Sequence, residues 1–393
     1  MSFKEIAEEN VGVCVSGGLS SLTVAAWLAE SGVRTTAFVA DIGQASRDDV
    51  QSRARSLQSA GLPTVVVDLR DPMAALAMDL VRYNARYDGG YWNTTSGSRL
   101  VLARGLAEAI SEAGCTVLAH GCVGGGNDER RFQRYGAALA ANLRVFSPWA
   151  DPDMRNRFPD RATMEAYVRG LGLALDPRCG ADYSVDGNLA GFAHEGSALE
   201  ALGTADDAAR RVLTVAPQQA PDKAETVSVR FDHGRPAEID GVPGGPLDLL
   251  ERANSLTGRH GVGLRSVVEN RINGTKCRGL YESPGLDLLG FGLSRVYQVA
   301  MNTDARQLMQ SLSVTIGRAV YEGRYLEPAA RAARAAADVL VDSASATVEV
   351  EMYKGGMLVR SLSSQDPGRM PPRQTRFSSG GGGHFWRVVN VTT

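Results

Sequence analysis

Strand-like and helix-like patterns alternate along the first 150 or so residues of the chain. Short apolar runs have the length of buried strands, and apolar residues spaced three and four positions apart are typical of helices. The predicted strands are residues 11–15, 34–39, 64–68, 116–119 and 144–146, and the predicted helices are 20–31, 47–60, 72–86 and 97–114. Because parallel strands need a long crossover connection, this order predicts a doubly wound α/β domain on a parallel sheet.

The pattern changes beyond about residue 171. Some segments alternate apolar and polar positions as half-buried strands do, and one of them precedes a Lys354–Gly–Gly turn typical of a hairpin. The candidate strands are 227–231, 236–240 and 347–353, and the helical stretches are 247–257 and 304–341, the latter interrupted near Pro328. We expect a second, α+β domain that closes over the first and completes its site.

These patterns divide the chain into three predicted parts. Residues 1–170 are expected to form the doubly wound α/β domain and residues 171–363 the second domain. Residues 364–393 have little pattern, and we expect this tail to be mobile or to contact another subunit.

The segment that follows the first predicted strand carries the strongest chemical signal. The apolar run ends in Ser16, Gly17 and Gly18, and a helical pattern begins at once. The glycines let backbone N–H groups approach an anion, and the helix N-terminus adds partial positive charge. Hydroxyls of Ser16, Ser20 and Ser21 add possible donors. This loop predicts a phosphate or pyrophosphate site, although an ordinary strand–helix turn would have the same local pattern.

A second glycine-rich loop follows the strand at 116–119 and ends in Asn127, Asp128 and Arg131. Asn127 and Arg131 are four residues apart, so a helix would place them on one face, where an amide and a guanidinium suit a carboxylate. The alternative is a solvated charged loop. Since loops at the carboxyl ends of parallel strands meet at one sheet edge, we expect this loop to lie beside Ser16–Ser21.

Two polar clusters in the second part stay ambiguous on spacing alone. One runs from Gly258 to Glu282, and the other covers 183–189 and 194–196. Either could be a salt-bridged surface or part of a substrate site.

Composition narrows the class of protein. The chain has 393 residues, 44% hydrophobic and 22% charged, with a net charge of −2, so we expect no broad surface for nucleic acid or membrane. Five scattered cysteines without a C-x-x-C pair favour reduced thiols over disulfides or a metal site. The N-terminus is polar and acidic, and no apolar run approaches the roughly 18 residues of a membrane span, so we expect a cytoplasmic protein.

Several motifs occur together in a fixed order. They are Ser-Gly-Gly-Leu, Ala-Asp-Ile-Gly-Gln, Gly-Asn-Asp followed by Arg, Tyr-Ser-x-Asp-x-Asn-Leu, and Gly-Arg-His-Gly-Val-Gly with Val-Glu-Asn-Arg and Lys-x-Arg-Gly-x-Tyr-Glu-x-Pro. In order and rough spacing the set closely resembles argininosuccinate synthetase, in the PP-loop ATP pyrophosphatase class, to about residue 365.

The resemblance implies an ATP-dependent carbon–nitrogen ligase. In that family the ureido oxygen of citrulline attacks the α-phosphate of ATP, pyrophosphate leaves, and the aspartate amine then displaces AMP. The resemblance also implies Mg²⁺ with the nucleotide, small-molecule substrates and a homo-oligomer, a tetramer in the family.

Site residues follow from the resemblance by position. It implies ATP contacts at Ser16, Gly17, Gly18, Ser20, Ser21, Ala37 and Gly121. It implies citrulline contacts at Tyr91, Ser96, Asn127, Arg131, Ser184, Glu269 and Tyr281, and aspartate contacts at Val123, Asn127 and Asp128. No general base and no protein-held metal are assigned.

The chain departs from the family pattern at four positions in or beside these sites. Ser20 stands where the family has aspartate, Val123 where it has threonine, Gly125 where it has lysine, and Ala193 where it has serine. Three hypotheses therefore stay open: a working synthetase of arginine biosynthesis, a paralogue in specialised metabolism with another acceptor or nucleophile, and a binding module without catalysis.

Overall fold

The computed structural model describes residues 3–44, 46–123, 126–139, 143–173 and 183–364 of the chain. Three sheets organise these residues: one parallel sheet of five strands and two antiparallel sheets of four and five strands. None of the described helices is long and apolar enough to cross a membrane.

The parallel sheet is built from the first five strands in the order β3-β2-β1-β4-β5. These strands are β1 (Asn10–Cys14), β2 (Arg34–Asp41), β3 (Thr64–Asp68), β4 (Val117–His120) and β5 (Arg144–Phe146). The apolar runs of β1 and β4 are buried, as expected for strands covered by helices on both faces. The order reverses between β1 and β4, and such a switch point leaves a crevice at the carboxyl ends of the strands.

Seven α-helices lie among the described residues of this first part. They are α1 (Leu19–Glu30), α2 (Arg47–Ser59), α3 (Arg70–Arg82), α4 (Thr94–Glu112), α5 (Asn127–Leu139), α6 (Pro152–Arg157) and α7 (Arg161–Gly170). Apolar side chains of α1, α2 and α7 share one core with β1 and β2, whereas α3 and α4 contribute to a second core. Helices therefore cover the sheet on both faces, which confirms the predicted α/β class.

The two antiparallel sheets follow in the second part. The four-stranded sheet has the order β11-β12-β7-β6 and the five-stranded sheet the order β10-β9-β8-β13-β14. Their strands are β6 (Ser184–Asn188), β7 (Gly191–Glu195), β8 (Glu225–Asp232), β9 (Arg235–Ile239), β10 (Val242–Pro243), β11 (Leu264–Asn270), β12 (Lys276–Glu282), β13 (Ala346–Tyr353) and β14 (Gly356–Ser363). The helices are α8 (Ser197–Glu200), α9 (Pro246–Arg259), α10 (Pro284–Ala300), α11 (Thr303–Glu322) and α12 (Pro328–Val341).

Most predicted elements are confirmed within a few residues, including the break of the long helical pattern before Pro328 and the hairpin of β13 and β14. Two helix ends differ. The helix expected at 72–86 ends at Arg82, and Asn84 has a positive φ of 45° that α-helix cannot accommodate. The helix expected at 97–114 begins at Thr94, after Asn93 with φ 58°. The predicted C-terminal tail lies outside the described residues, apart from its first residue.

A shared core joins the segment before α4 to the helices of the second part. Trp92 is buried, and its Nε1 donates a hydrogen bond of 2.8 Å to Oδ1 of Asp287 in α10. The Asn93 side chain donates to the carbonyls of Ala85, at 2.9 Å, and Gly317 of α11, at 3.0 Å. These buried bonds fix the start of α4 against α11, and both helices contribute to the site described below.

The contact at Gly317 generates a stability prediction. A Cβ at this position would overlap the carbonyl oxygen of Arg86 and lie 2.9 Å from its carbonyl carbon. We expect Gly317→Ala to lower the free energy of unfolding by about 1–3 kcal/mol, although alanine is the better helix former by about 1 kcal/mol. Urea denaturation followed by circular dichroism measures this.

The matched control is Gly170→Ala at the end of α7, where a Cβ would have no described atom within 4 Å. This variant should keep or slightly raise the stability of the native chain. Equal stabilities of the two variants would contradict the assigned close packing.

Candidate active site

The loop between β1 and α1 is pre-shaped by its own hydrogen bonds. The Ser21 hydroxyl accepts from the Ser16 amide at 3.2 Å and donates to the Gly18 carbonyl at 2.9 Å. The Ser16 and Ser21 hydroxyl oxygens are 3.1 Å apart. Gly17 has φ 86°, a left-handed conformation that favours glycine. Ser20 lies half-buried in the first turn of α1, which carries no acidic residue.

The loop after β4 packs directly on this first loop. Gly121 is the first residue after β4, and a Cβ there would lie 2.5 Å from Cα of Ser21. Only glycine allows this approach without a shift of the backbone. The two loops therefore meet at the switch point of the sheet, as the sequence predicted.

Ala37 needs a correction. It lies within β2, is fully buried and pairs with Val13 of β1. A side chain in the middle of a covered strand cannot contact a nucleotide at the sheet edge. Ala40, three residues nearer to the carboxyl end of β2, is also buried, and the strand ends at Asp41.

A polar cavity of about 280 Å³ opens beside the two loops. Cys122 and Val123, which directly follow Gly121, form one wall. Most of the other lining side chains are polar or charged: Tyr91, Thr95, Asn127, Asp128, Arg131, Asp186, Glu195, Glu269, Arg271 and Asn273. Six of the residues predicted to contact the acceptor or the nucleophile therefore line one cavity: Tyr91, Val123, Asn127, Asp128, Arg131 and Glu269. Gly125 lies outside the described residues.

Asp128 is held between two guanidinium groups. Its Oδ1 accepts from Nη1 of Arg131 at 2.7 Å, and its Oδ2 accepts from Nη2 of Arg99 at 2.8 Å. Arg99 also bridges to Oδ2 of Asp186 at 2.9 Å. Burial alone would raise the pKa of Asp128, but the two arginines outweigh it and hold the pKa well below its usual range. Asp128 is therefore a fixed negative charge.

Asn127 and Arg131 share one face of α5, as predicted, and both contact Tyr321 of α11. Nδ2 of Asn127 donates to the Tyr321 hydroxyl at 3.0 Å, and Nε of Arg131 donates to the Tyr321 carbonyl at 2.7 Å. The predicted guanidinium fork is thus partly engaged within the protein, by Tyr321 and by Asp128.

Glu269 lies beneath a group of tyrosines. Its two carboxylate oxygens accept from the Tyr321 hydroxyl at 2.6 Å and from the Tyr281 hydroxyl at 3.1 Å. Burial raises the pKa of Glu269, and the hydrogen bond from Tyr321 partly opposes that rise. Tyr281 in turn stacks on Tyr91 with ring centroids 4.1 Å apart, and Ala193 packs in the same cluster.

Tyr91 and Ser96 meet at the start of α4. The Tyr91 hydroxyl accepts from the backbone amides of Thr95, at 2.9 Å, and Ser96, at 3.3 Å. The side-chain hydroxyls of Thr95 and Ser96 are buried and have no hydrogen-bond partner among the described residues. Unpaired buried hydroxyls are uncommon, so these two are available to a ligand.

Two other predicted residues occupy different surroundings. Ser184 is exposed, and its hydroxyl donates to the carbonyl of Glu195 at 3.0 Å rather than lining the cavity. Val123 lines the cavity with 59% of its surface exposed, so its isopropyl group presents no hydrogen-bonding atom there.

Glu195 is a second carboxyl group of the cavity whose pKa is strongly shifted, in the direction opposite to that of Asp128. Burial, reinforced by the nearby charges of Glu269, Asp186 and Asp128, raises its pKa from 4.5 to about 7. The sequence analysis named residues 194–196 without assigning them a role. In the structure Ala193 of β7 pairs with Tyr281 of β12. Glu195 is two residues further along β7 and therefore lies on the same face of the sheet as Ala193.

The remaining polar motifs separate into site and scaffold. Arg271 lines the cavity, whereas His260 bonds to Glu225 at 2.8 Å, outside the cavity lining. Glu282 is buried, and it bonds to His194 at 2.9 Å and to three backbone amides of 212–214. These contacts make His194, His260 and Glu282 scaffold residues.

Sequence reasoning missed Tyr321 and Arg99. Tyr321 stands in an amphipathic, alanine-rich pattern where an apolar helix face explains an aromatic residue without any ligand. Arg99 follows Ser96 on α4 by three positions, which puts both on one face, and that spacing was a usable signal.

Comparison with known proteins adds the family. The arginosuccinate synthase N-terminal HUP domain matches residues 10–170, and the arginosuccinate synthase C-terminal domain matches residues 183–367. Argininosuccinate synthase of Edwardsiella ictaluri is 35% identical over 86% of this chain and 84% of that protein. That of Photorhabdus laumondii is 34% identical over 88% of this chain and 86% of that protein.

A solved tRNA thiolase from Methanococcus maripaludis matches only weakly. Its TM-score is 0.29 at 13% identity, over 44% of this chain and 60% of that one, which is too low to carry an argument.

The parallel sheet, the glycine loop after its first strand and the matched HUP domain are together typical of the PP-loop class. They define the protein as an ATP-dependent ligase of that class. The chain belongs to the argininosuccinate synthase family, and it is a ligase that forms carbon–nitrogen bonds.

The raised pKa of Glu195 predicts a pH-dependent stability. Between pH 4.5 and about 7 the folded carboxyl holds a proton that the unfolded one releases, so the free energy of unfolding falls as pH rises through this window. We expect Glu195→Gln to remove a fall on the order of 1–3 kcal/mol. Chemical denaturation of both proteins at intervals across the window measures it.

Glu108→Gln, an exposed glutamate of α4, is the matched control and should leave the profile of the native chain unchanged. A Glu195→Gln profile as steep as the native one would show that Glu195 does not carry the proton.

Proposed function

We propose that this ligase activates the ureido oxygen of citrulline, or of a close analogue, with ATP and joins the activated carbon to the amine of aspartate. The observation that carries this proposal is the contact at Gly121. It packs the Ser16–Ser21 loop against the loop after β4, whose next residues, Cys122 and Val123, line a cavity that also contains carboxylates, arginines and Tyr91.

The residue roles are part of the proposal. Ser16, Gly17, Gly18, Ser20, Ser21 and Gly121 would hold the phosphates of ATP. The acceptor would contact Tyr91, Ser96, Asn127, Arg131, Glu269 and Tyr281, with Ser184 at the rim. Asn127, Asp128 and Val123 would face the nucleophile. Support comes from the shared cavity lining and from the unpartnered hydroxyl of Ser96.

The chemistry needs two displacements. In the first, the ureido oxygen forms a bond to the α-phosphorus and the bond to the departing pyrophosphate breaks. In the second, the amine nitrogen bonds to the ureido carbon, the carbon–oxygen bond breaks, AMP leaves with that oxygen, and the nitrogen loses a proton. A urea carbon is a poor electrophile, so the first step creates the leaving group that the second step needs.

In this proposal the cavity contributes mainly by orienting the substrates and by providing a fixed electrostatic field. Arg131 and Arg99 lie beside the Asp128 carboxylate, so their charges are largely balanced before any substrate enters. Glu269, held by Tyr281 and Tyr321, offers an acceptor surface suited to an ammonium or amide N–H. Holding two reactants in fixed positions is worth several orders of magnitude in rate.

Magnesium belongs to the proposal as a companion of the nucleotide. The described residues contain no group of three or more His, Cys, Asp or Glu side chains that could hold a metal ion. The Ser16–Ser21 loop offers hydroxyls and no carboxylate. This donor set fits a magnesium ion whose ligands come mainly from phosphate oxygens and water, where it would neutralise phosphate charge.

Family membership also supports a cytoplasmic homo-oligomer, a tetramer if it follows the family, with a nucleotide-binding domain at 1–170 and a second domain at 171–363. Light scattering on the purified chain measures the oligomeric state.

ATP–pyrophosphate exchange tests the proposed function. With ATP, magnesium and labelled pyrophosphate, citrulline should accelerate the exchange of label into ATP, because adenylation is reversible. Ornithine, which lacks the ureido group, is the control acceptor and should not accelerate it. If another ureido, amide or carboxylate compound accelerates the exchange and citrulline does not, citrulline is the wrong acceptor and that compound takes its place.

Val123 generates a prediction on the second step. Since its side chain cannot hydrogen-bond a carboxylate, we expect aspartate to bind poorly even where citrulline is adenylated. Val123→Thr should lower the aspartate KM by roughly tenfold to a few hundredfold, the range that one hydrogen bond to a charged group supplies. Steady-state AMP release with citrulline fixed and aspartate varied is the measurement.

Citrulline-dependent exchange without aspartate is the internal control and should be the same for both proteins. Saturation of the native enzyme at ordinary aspartate concentrations, with argininosuccinate as the product, would contradict the altered aspartate site and leave a plain synthase.

A further inference from the structure

Four of the described residues that line the cavity carry a carboxyl group: Asp128, Asp186, Glu195 and Glu269. Two arginines hold the Asp128 carboxylate, at 2.7 and 2.8 Å, and Arg99, one of the two, also pairs with Asp186 at 2.9 Å. The Glu269 carboxylate accepts hydrogen bonds of 2.6 and 3.1 Å from two tyrosine hydroxyls. Three of the four groups are therefore engaged by partners within the protein.

Glu195 is the fourth, and its carboxylate is much less engaged. Among the described residues it has one hydrogen-bond contact, from the Tyr281 hydroxyl at 3.5 Å. That hydroxyl has a single proton to donate and lies closer to Glu269, so the contact with Glu195 is weak. The Glu195 side chain is half-buried, so it is covered on the protein side and open to the cavity.

The titratable and charged groups that face Glu195 come from four neighbouring segments. They are Asp186 of β6, Asp128 and Arg131 of α5, Glu269 of β11 with Arg271 just after it, and Cys277 and Tyr281 of β12. Burial, reinforced by the three acidic groups, raises the pKa of Glu195 to about 7 against the opposing charge of Arg131. Near neutral pH this carboxyl group can therefore take up a proton and release it again.

The ligation step needs a proton acceptor of this kind. The amine of a free amino acid is an ammonium ion at neutral pH, and its nitrogen has no free electron pair until a proton is removed. Histidine and lysine, two other common proton acceptors, are absent from the described lining of the cavity. Burial raises the pKa of the Cys122 thiol well above its usual value, so this thiol does not ionise at neutral pH and cannot serve as the base.

We propose that the Glu195 carboxylate is the catalytic base of the ligation step and accepts the proton that the ammonium group of the nucleophile loses. The inference rests on the proposed function, because it takes the activated acceptor and the amine to share this cavity. The two carboxyl groups then have different roles. Asp128, with its permanent charge, attracts the ammonium group, and Glu195 takes the proton.

The step balances in protons and electrons. Adenylation of a neutral ureido group releases no proton, so the activated acceptor carries a positive charge on its ureido nitrogens. In the ligation one ammonium proton moves to Glu195, the freed electron pair of the nitrogen forms the bond to carbon, and the carbon–oxygen bond breaks with its electron pair leaving on AMP. The second proton of that nitrogen leaves with the AMP phosphate, the product is a guanidinium ion, and Glu195 releases its proton to water at the open side of the cavity.

Separate measurement of the two half-reactions tests the proposal in the full chain. Citrulline-dependent ATP–pyrophosphate exchange without aspartate reports adenylation, which needs no base. AMP release with ATP and citrulline saturating and aspartate varied, over a pH range on both sides of about 7, reports the kcat/KM of ligation. The variants are Glu195→Gln, Glu195→Asp and, as the control, Glu108→Gln, an exposed glutamate of α4.

We expect Glu195→Gln to keep exchange near the native rate and to lower kcat/KM for aspartate by roughly a hundred- to ten-thousandfold, the usual contribution of a general base. In the native chain kcat/KM should rise with pH through about 7, because only the ionised carboxyl group can take the proton. Glu195→Gln should lose this rise. Glu195→Asp keeps a carboxyl group and should recover part of the rate, and Glu108→Gln should match the native chain.

Hydroxylamine is a nucleophile that separates loss of the base from loss of the adenylate. It is largely unprotonated at neutral pH, so its nitrogen needs no base before it attacks the activated carbon. With ATP and citrulline present, hydroxylamine should release AMP at similar rates in Glu195→Gln and in the native chain. Equal losses with hydroxylamine and with aspartate would show that Glu195 is not the base.

The other outcomes distinguish this inference from the proposed function. If citrulline drives exchange and Glu195→Gln ligates aspartate with the native rate and pH profile, the proposed function stands and the role of Glu195 is wrong. Equal losses of exchange and ligation would make Glu195 a support for the acceptor. A native kcat/KM that stays constant through about pH 7 would contradict the proposal without any variant. If citrulline drives no exchange in the native chain, the proposed function fails and this inference fails with it.

Discussion

The cavity depends on one half-buried charge, the Asp128 carboxylate. A carboxylate removed from water is costly unless cations and hydrogen bonds replace the solvent, and here Arg99 of α4 and Arg131 of α5 do so at 2.8 and 2.7 Å. Arg99 extends the network to Asp186 of β6, and Arg131 extends it to the Tyr321 carbonyl of α11. Elements from both halves of the chain are thereby held around the Asp128 carboxylate. Loss of either arginine would leave this carboxylate with only one of its two cationic partners.

Tyrosines pack behind Tyr91 and Glu269, two residues that line the cavity, and stiffen this part of it. Tyr321 donates to Glu269 and accepts from Asn127, so its hydroxyl is fixed in orientation. Its ring stacks on Tyr87 with centroids 3.7 Å apart, and it meets Tyr91 edge-on at 6.4 Å. Aromatic side chains have few rotatable bonds, so a wall of this kind holds its shape without a ligand.

The sequence predicted those parts of the molecule that depend on local pattern. Buried parallel strands are apolar runs, so β1 to β5 were found, and the glycine of the loop at 16–21 marked a turn that needs positive φ. Helix ends were less accurate where an asparagine in left-handed conformation, Asn84 or Asn93, changes the chain direction. The position of Ala37 could not be judged from local pattern, because only the sheet register places it beside Val13, fully buried within β2.

Tyr321 could not be found in this way. It acts through a contact with Asn127, which is far away in the sequence, and an amphipathic helix gives no local sign of such a contact. Only the packing of α11 on α5 brings this side chain to the site.

The close packing of Gly121 on Ser21 also bears on how such an enzyme can diversify. The loop that would hold phosphate is fixed on one side of this contact, while Cys122 and Val123 begin the cavity wall on the other. With ATP placed as proposed, the backbone junction at Gly121, rather than the identity of the wall, would set the spacing between the two reaction partners. Mutations can accumulate in the wall and alter which acceptor or amine is admitted, and the distance over which the phosphorus is attacked stays the same.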